Sequence, residues 1–190
     1  MAETVEPAFE TVRYRIDEAV AAGDPAIVTH AIKEALEHAI RGDGVTLPAR
    51  FYASRRDTYA RRLLHRDPAG RYSVVVMTWG PGQGTALHDH AGIWCVECVV
   101  DGEMSVTQYD LVSHAGAIYR FEERNRVTAS RGSAGCLIPP FEYHVLANAR
   151  PEETSVTLHV YGGEMDHCHV FEPAEGGSYR RVVKQLSYHE

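Results

Sequence analysis

From residue 59 onward the chain consists of short β-rich runs separated by turn residues, and this pattern constrains the fold most strongly. Each run is rich in β-branched and aromatic residues, and turn-forming residues stand between neighbouring runs. Short strands at regular intervals are typical of a β-sandwich or a β-barrel. The predicted strands span residues 72–79, 93–100, 103–111, 117–122, 126–130, 135–139, 144–148, 154–161 and 179–183.

The first quarter of the chain has helical periodicity instead. Phe9, Val12 and Ile16 recur at the spacing of one helix face, and Asp24 with Pro25 provides the N-cap and first-turn proline of a second helix. We therefore predict a single domain of 190 residues. It consists of a helical pair in residues 1–45 and a β-barrel in residues 59–185.

The composition excludes several classes of partner. The formal net charge is −7, whereas binding the phosphate backbone of nucleic acid requires a basic surface. No run of about 18 apolar residues could span a membrane, and residues 1–7 lack the basic start and apolar stretch of a secretion signal. We expect neither a nucleic-acid nor a membrane partner.

The four cysteines are too few and too scattered for a disulfide scaffold. They are consistent with a reducing compartment. We therefore expect a cytoplasmic protein that is a monomer or a weak oligomer.

Two histidines have the spacing of metal ligands. His88 and His90 are two residues apart, so that in a strand both side chains point to the same side. His144, at the start of another predicted strand, is the best candidate for a third ligand. Three neutral imidazoles with no carboxylate in the set suit a divalent transition metal with open coordination positions, iron in particular.

A second polar group lies on one side of the predicted strand 154–161. Thr157, His159 and Tyr161 alternate with apolar residues and therefore share a face. If that face pointed to solvent, the strand would be an ordinary amphipathic surface strand. If it pointed into a barrel, the histidine would be held by one hydroxyl group and would orient the other, supporting a metal centre from outside its ligand set.

The spacing of these residues resembles the two sequence motifs of the cupin superfamily. The matching positions are Gly82, His88, His90 and Gly102 for the first motif and Pro139, His144 and Asn148 for the second. The resemblance implies a jelly-roll-like β-barrel. Cys95 stands where the first motif usually has a glutamate ligand.

Within that superfamily, residues 59–171 resemble the cysteine dioxygenases, and more broadly the thiol dioxygenases. These enzymes carry a serine, histidine and tyrosine relay on one strand, which Thr157, His159 and Tyr161 match with threonine in place of serine. Cys95 matches the cysteine that animal members join to the relay tyrosine, which implies a thioether between Cys95 and Tyr161. One departure is Gly162–Gly163, where the animal enzymes have a serine and prolines.

Arg61 matches the arginine that binds the substrate carboxylate in this family. If residues 59–64 form a strand, alternation places Tyr59 on the same face as Arg61 and places Arg62 on the opposite face. Bacterial relatives that prefer 3-mercaptopropionate tend to have glutamine at the arginine position and glycine at the position of Cys95. Both differences favour cysteine as the substrate.

The resemblance thus implies an enzyme in which Fe(II), held by His88, His90 and His144, reacts L-cysteine with O2 to give cysteine sulfinate. Tyr161 would hydrogen-bond the bound oxygen or the substrate carboxylate, and Arg61 with Tyr59 would clamp that carboxylate. Three alternatives remain open at this point. They are a dioxygenase for another acidic thiol such as 3-mercaptopropionate or mercaptosuccinate, a non-catalytic metal-binding cupin that acts as a sensor or storage module, and a zinc-dependent isomerase or hydrolase.

Overall fold

The computed structural model describes residues 7–42 and 45–190. The predicted helical segment 1–45 also covers residues 1–6 and 43–44, which lie outside the described residues. The described part contains two α-helices, two short 3₁₀ helices (Ala49–Tyr52 and Glu175–Gly177) and eleven strands. The α-helices and strands are α1 (Pro7–Val20), α2 (Pro25–Arg41), β1 (Ala60–Arg66), β2 (Ser73–Trp79), β3 (Leu87–His88), β4 (Cys95–Asp101), β5 (Glu103–Ala115), β6 (Ile118–Ser130), β7 (Ala134–Leu137), β8 (His144–Asn148), β9 (Ser155–Tyr161), β10 (His167–Pro173) and β11 (Tyr179–Gln185).

The two helices form where the sequence signals predict them. The Asp24 carboxylate accepts hydrogen bonds from the backbone N–H groups of Ala26 and Ile27, which caps α2 directly before Pro25. Ile32 and Leu36 lie on the buried face of α2 and are fully buried. Neither helix of the described ranges is long and apolar enough to cross a membrane.

The strands form two antiparallel sheets. One sheet has the order β1-β2-β9-β4-β7, and the second has the order β10-β11-β6-β5-β8-β3, in which β3 pairs back onto β10 and closes the ring. The structure therefore confirms a mostly β, single-domain fold with an N-terminal helical pair. This is the jelly-roll-like barrel that the resemblance to cupins implies.

The five-stranded sheet is buried on both faces. Along β9, Val156, Leu158 and Val160 belong to the apolar cluster that also contains the buried residues of both helices. Thr157, His159 and Tyr161 alternate with them and point to the other face, and all three are at most 3% exposed. The polar face is thus turned into the barrel and away from solvent.

Three strand predictions need correction. The segments predicted at 117–122 and 126–130 form one continuous strand, β6, that pairs with β5 along its whole length. The charged stretch between them remains in the strand because this two-stranded ribbon is largely solvent-exposed. β10 was not among the predicted strands. β3 has only two residues, so that His90 lies just beyond the strand that carries His88.

The turn between β1 and β2 contains a buried carboxylate. Asp67 is 5% exposed and accepts hydrogen bonds from the backbone N–H, Nε and Nη2 of Arg71 at 2.8–3.0 Å. The hydrogen bond from the Arg71 side chain lowers the pKa of Asp67 to about 2.

We expect Asp67→Asn to lower the free energy of unfolding at neutral pH. Because the folded pKa lies below the unfolded value of about 3.9, the stabilisation is complete above about pH 4 and is lost as the pH falls towards 2. Urea unfolding at several pH values tests this, with Asp57→Asn at the exposed Arg55 pair as the control. A difference from wild type that did not shrink with acidification would contradict it.

Candidate metal centre

Three histidines converge at the junction of β3 and β8. His88 and His144 are directly paired across these strands, and His90 follows two residues after His88. The ring centroids lie 4.3 Å apart for His88 and His144, 5.1 Å for His90 and His144, and 5.5 Å for His88 and His90. One nitrogen from each ring lies within 4.8 Å of the other two. The sequence-predicted set is thus brought together at one point.

The hydrogen bonds of these histidines fit a metal ion. The Nδ1 atoms of His88 and His144 lie 3.1 Å and 2.6 Å from the carbonyl oxygens of Ala86 and Glu142. A carbonyl only accepts, so each Nδ1 carries a hydrogen, which leaves Nε2 as the atom through which each ring could bind a metal. His90 is fully buried, and neither of its ring nitrogens has a hydrogen-bond partner. A divalent metal would satisfy one of these two nitrogens.

Burial keeps two of the imidazoles in the form that binds metals. It lowers the pKa of His88 to about 3, with a further contribution from His144, and it lowers the pKa of His90 well below the usual range. Both rings are therefore neutral at physiological pH, as metal coordination requires.

A carboxylate that the sequence analysis did not consider lies beside the three histidines. Glu97 lies on β4 two residues after Cys95, and strand alternation turns both side chains inward. Its Oε1 atom lies 3.2 Å from Nε2 of His144 and 4.0 Å from Nε2 of His90. Burial disfavours ionisation, but the imidazoles of His144 and His159 hold the pKa of Glu97 well below its usual range. A charged carboxylate thus faces the histidine triad.

The contacts of His159 on β9 differ from the expected relay, in which this histidine joins the hydroxyl groups of Thr157 and Tyr161. The indole Nε1 of Trp79 donates to Oγ1 of Thr157 at 2.9 Å, and this oxygen lies 2.7 Å from Nε2 of His159. Nδ1 of His159 lies 3.2 Å from Glu97, although without the alignment of a hydrogen bond. The His159 ring stacks on the Tyr161 ring at 5.9 Å. His159 therefore connects Thr157 to Glu97 and contacts Tyr161 through its ring face.

Cys95 and Tyr161 are direct cross-strand neighbours on β4 and β9. Both side chains are buried, and burial raises the pKa of the Cys95 thiol and of the Tyr161 phenol well above their usual ranges. The Tyr161 ring lies 5.7 Å from the ring of His90. At neutral pH the phenol is thus a hydrogen-bond donor placed next to the histidine triad.

Gly162, directly after Tyr161, is required by close packing. A Cβ atom at this position would lie 2.4 Å from the indole of Trp94, too close for any side chain. Glycine replaces the residue of the animal enzymes here because the Trp94 indole occupies the space that a side chain at position 162 would need.

Arg61 on β1 faces the same interior. It is 3% exposed, and its Nη2 donates to the carbonyl oxygen of Met165 at 2.6 Å, while its Nε has no partner. In residues 7–42 and 45–190 no carboxylate forms an ion pair with it. Tyr59 stacks on Trp79 at 4.5 Å and lines the same cavity as Arg61. A buried guanidinium without an anion is well suited to receive one.

The sequence reasoning missed the C-terminal segment. The backbone of His189 donates to the carbonyl of Arg61 at 2.7 Å, and its Nδ1 accepts from the Arg61 N–H at 3.0 Å. The Tyr188 ring lies 4.5 Å from the Arg61 guanidinium. Residues 186–190 have no periodicity that predicts a strand, so no local signal indicated this contact.

We expect Thr157→Val to destabilise the fold, although threonine and valine have side chains of similar shape. The change leaves Trp79 Nε1 and His159 Nε2 without their partner, at a cost of about 1–3 kcal/mol for each buried group. Urea unfolding of the apoprotein measures the loss, and Thr157→Ser should recover most of it because the hydroxyl group remains. Equal stability of the valine variant and wild type would contradict this assignment.

Comparison with known proteins identifies related chains. The sequence profile of the family described as "Cysteine dioxygenase type I" matches residues 32–174, more than half of the chain. Cysteine dioxygenase type 1 of Rattus norvegicus is 25% identical over 119 residues, covering 62% of this chain and 58% of the rat protein. The Homo sapiens protein is 24% identical over 126 residues with the same coverage. The chain thus matches less than two thirds of the length of these curated relatives.

Two solved structures are similar in fold. TT1209 from Thermus thermophilus has a TM-score of 0.48 at 17% identity, covering 63% of this chain and 96% of that chain. A Cupin 2 conserved barrel domain protein from Salinispora arenicola has a TM-score of 0.43 at 17% identity, covering 62% and 87%.

The segment matched by the family profile contains the three histidines and the inward-facing residues of β1, β4 and β9. Only the last residues, including β11, lie beyond its C-terminal end. The chain belongs to the cysteine dioxygenase type I family.

Proposed function

We propose that this protein is an iron-dependent thiol dioxygenase that converts L-cysteine and O2 to cysteine sulfinate. The observation that carries the proposal is that Arg61, Tyr161 and His88 line one cavity. An anion-binding group, a phenol donor and the candidate metal ligands are therefore available to one small molecule. L-Cysteine has the carboxylate and the thiol that such a cavity would bind at its two ends.

In this proposal His88, His90 and His144 hold Fe(II), which supplies the redox chemistry that joins dioxygen to sulfur. The histidines contribute three neutral ligands at fixed positions, because carbonyl groups orient two of the rings and core packing orients the third. The thiolate of the substrate would lie at the metal.

Arg61 would bind the substrate carboxylate through paired, charge-assisted hydrogen bonds. The Arg61 Nε donor is buried without a partner, so an arriving carboxylate gains a bond and loses no existing one. Tyr59 lines the cavity beside it. Arg61 therefore sets the orientation of the thiol relative to the histidines.

Tyr161 would donate a hydrogen bond to the bound substrate, because its raised pKa keeps the phenol protonated. Thr157 and His159 would hold the ring in place through the contacts along β9. We further propose the thioether between Cys95 and Tyr161, supported by their direct pairing across the strands. Its formation removes the thiol hydrogen and one ring hydrogen, and dioxygen accepts the electrons.

Substrate entry requires movement of the chain. The cavity between Arg61 and the histidines has a volume of about 20 Å³, room for about one water molecule, and Leu186 of the C-terminal segment lines it. A displacement of that segment would admit a small thiol. We propose that this occurs in the reducing cytoplasm, where thiol substrates and the four unpaired cysteines persist.

Oxygen uptake by the iron-loaded protein with a panel of thiols tests the proposal. L-Cysteine should give the highest kcat/KM, and cysteamine, which lacks the carboxylate, should be a poor substrate. Bound iron without uptake for any thiol would contradict the proposed activity and would favour a binding module.

A second candidate is a dioxygenase for an acidic thiol without an amine, such as 3-mercaptopropionate or mercaptosuccinate. The observation that favours it is Glu97, whose carboxylate lies beside the histidine triad, where the amine of a chelating cysteine would need space. A higher kcat/KM for these thiols than for cysteine would support this candidate.

A further inference from the structure

We propose that Glu97 is a fourth protein ligand of the metal centre, so that this chain holds its metal through three histidines and one carboxylate. The inference rests on the metal centre of the proposed function, but it does not depend on which thiol is the substrate. It concerns a residue that the sequence analysis did not single out.

The position of the carboxylate supports this assignment. Oε1 of Glu97 lies 3.2 Å from Nε2 of His144 and 4.0 Å from Nε2 of His90. Glu97 also forms a group with His90 and Cys95 in which the potential ligand atoms all lie within 4.8 Å of one another. These separations are those of atoms that can share one ion.

The neighbouring nitrogens supply a second argument. Nε2 of His144 lies within hydrogen-bond distance of Oε1 of Glu97, at 3.2 Å, so the carboxylate is aimed at the atom through which this ring would bind a metal. His90 presents a further buried ring beside the same carboxylate, and neither of its nitrogens has a partner. A divalent metal between these groups would bind one nitrogen of each ring together with the carboxylate.

The charge of Glu97 faces imidazoles, and Nε2 of His144 lies within hydrogen-bond distance of its Oε1 at 3.2 Å. Among the described residues, its ion-pair partners are the imidazoles of His90, His144 and His159 alone. The nearest nitrogen of His159 lies at 3.2 Å but without hydrogen-bond alignment. A buried carboxylate is costly unless it is paired or coordinates a metal.

The register of β4 explains how the carboxylate reaches the metal. Glu97 follows Cys95 by two residues on the inward face, and it is paired directly opposite His159 on the neighbouring strand. The glutamate is therefore displaced by one inward position from Cys95, where the cupin motif usually has its ligand. Cys95 remains free to lie against Tyr161.

Metal affinity measured without thiol or oxygen tests the inference separately from the activity. Anaerobic competition with a chromophoric ferrous chelator should show that Glu97→Gln weakens Fe(II) binding by about 100-fold, the upper part of the range for groups that support a metal site. Glu122→Gln is the control, because it makes the same change of charge at an exposed carboxylate on β6. It should change the affinity little, and thermal unfolding of both apoproteins checks their folding.

An unchanged or tighter Fe(II) affinity for Glu97→Gln would overturn the inference. It would show that the carboxylate only accepts a hydrogen bond from an imidazole N–H, and that this hydrogen bond opposes metal binding at the same nitrogen. An equal loss in Glu122→Gln would also overturn it, since it would show a general effect of charge.

The crystal structure of the zinc-loaded wild type gives a second test that needs no variant. We expect Oε1 of Glu97 at about 2.0–2.2 Å from zinc. A carboxylate oxygen that remains at about 3 Å, hydrogen-bonded to His159 or to water, would contradict the inference. If zinc did not bind at the histidines at all, the metal centre of the proposed function would fail with it, whereas absence of thiol oxidation alone would leave the ligand set intact.

Discussion

Replacing His90 with leucine is expected to abolish metal binding while leaving the apoprotein at least as stable as wild type. The His90 ring is fully buried and neither nitrogen has a hydrogen-bond partner, so the change removes two unsatisfied polar atoms and breaks no hydrogen bond. It also removes one of three candidate ligands. The apo and loaded forms should therefore respond in opposite ways.

Thermal unfolding with and without Fe(II) under anaerobic conditions measures both effects. At a free metal concentration about 100 times the dissociation constant, wild type should gain about 2.7 kcal/mol of unfolding free energy, and the His90→Leu variant should gain none. Thiol-dependent oxygen uptake should be lost as well. His114→Ala, at an exposed histidine on β5, is the control and should behave like wild type. Normal metal stabilisation of His90→Leu would remove this histidine from the site.

Replacing Arg61 with methionine is expected to raise KM for thiols that carry a carboxylate. The guanidinium is 3% exposed and has no carboxylate partner in the described ranges, so its charge is available to the substrate. Removing one member of a buried, hydrogen-bonded charge pair costs about 2–5 kcal/mol. This corresponds to an increase in KM of about 30-fold or more.

Cysteamine provides a matched control for Arg61, because it keeps the thiol and the amine of cysteine and lacks the carboxylate. The methionine variant should oxidise cysteamine at close to the wild-type rate, and Arg61→Lys should retain part of the preference for carboxylates because the charge remains. A similar loss of activity with cysteine and with cysteamine would show that Arg61 supports the structure of the site and does not bind the carboxylate.

The alternation of side chains along strands explains how much of the site the sequence could predict. The inward direction of Thr157, His159 and Tyr161 follows from period-two alternation once the strand belongs to a barrel, and the pairing of His88 with His144 follows from the two motifs. Alternation equally places Glu97 beside Cys95. The cupin motif has its glutamate at the position of Cys95, so the motif alone did not indicate Glu97.

The remaining differences come from contacts between residues distant in sequence. β6 is continuous because it pairs with β5, although its charged middle has the composition of a turn. The backbone contacts of His189 with Arg61 join residues separated by most of the chain. Neither local propensity nor periodicity carries information about such a contact, and tertiary pairing decides it.

Isotope labelling of the product tests the central claim most directly. The iron-loaded protein is incubated with L-cysteine or 3-mercaptopropionate under ¹⁸O2, and the product is analysed by mass spectrometry. If a metal held by His88, His90 and His144 brings thiolate and dioxygen together, both oxygen atoms of the sulfinate will carry the label. A sulfinate with oxygen from water, or a disulfide as the only product, would contradict the account.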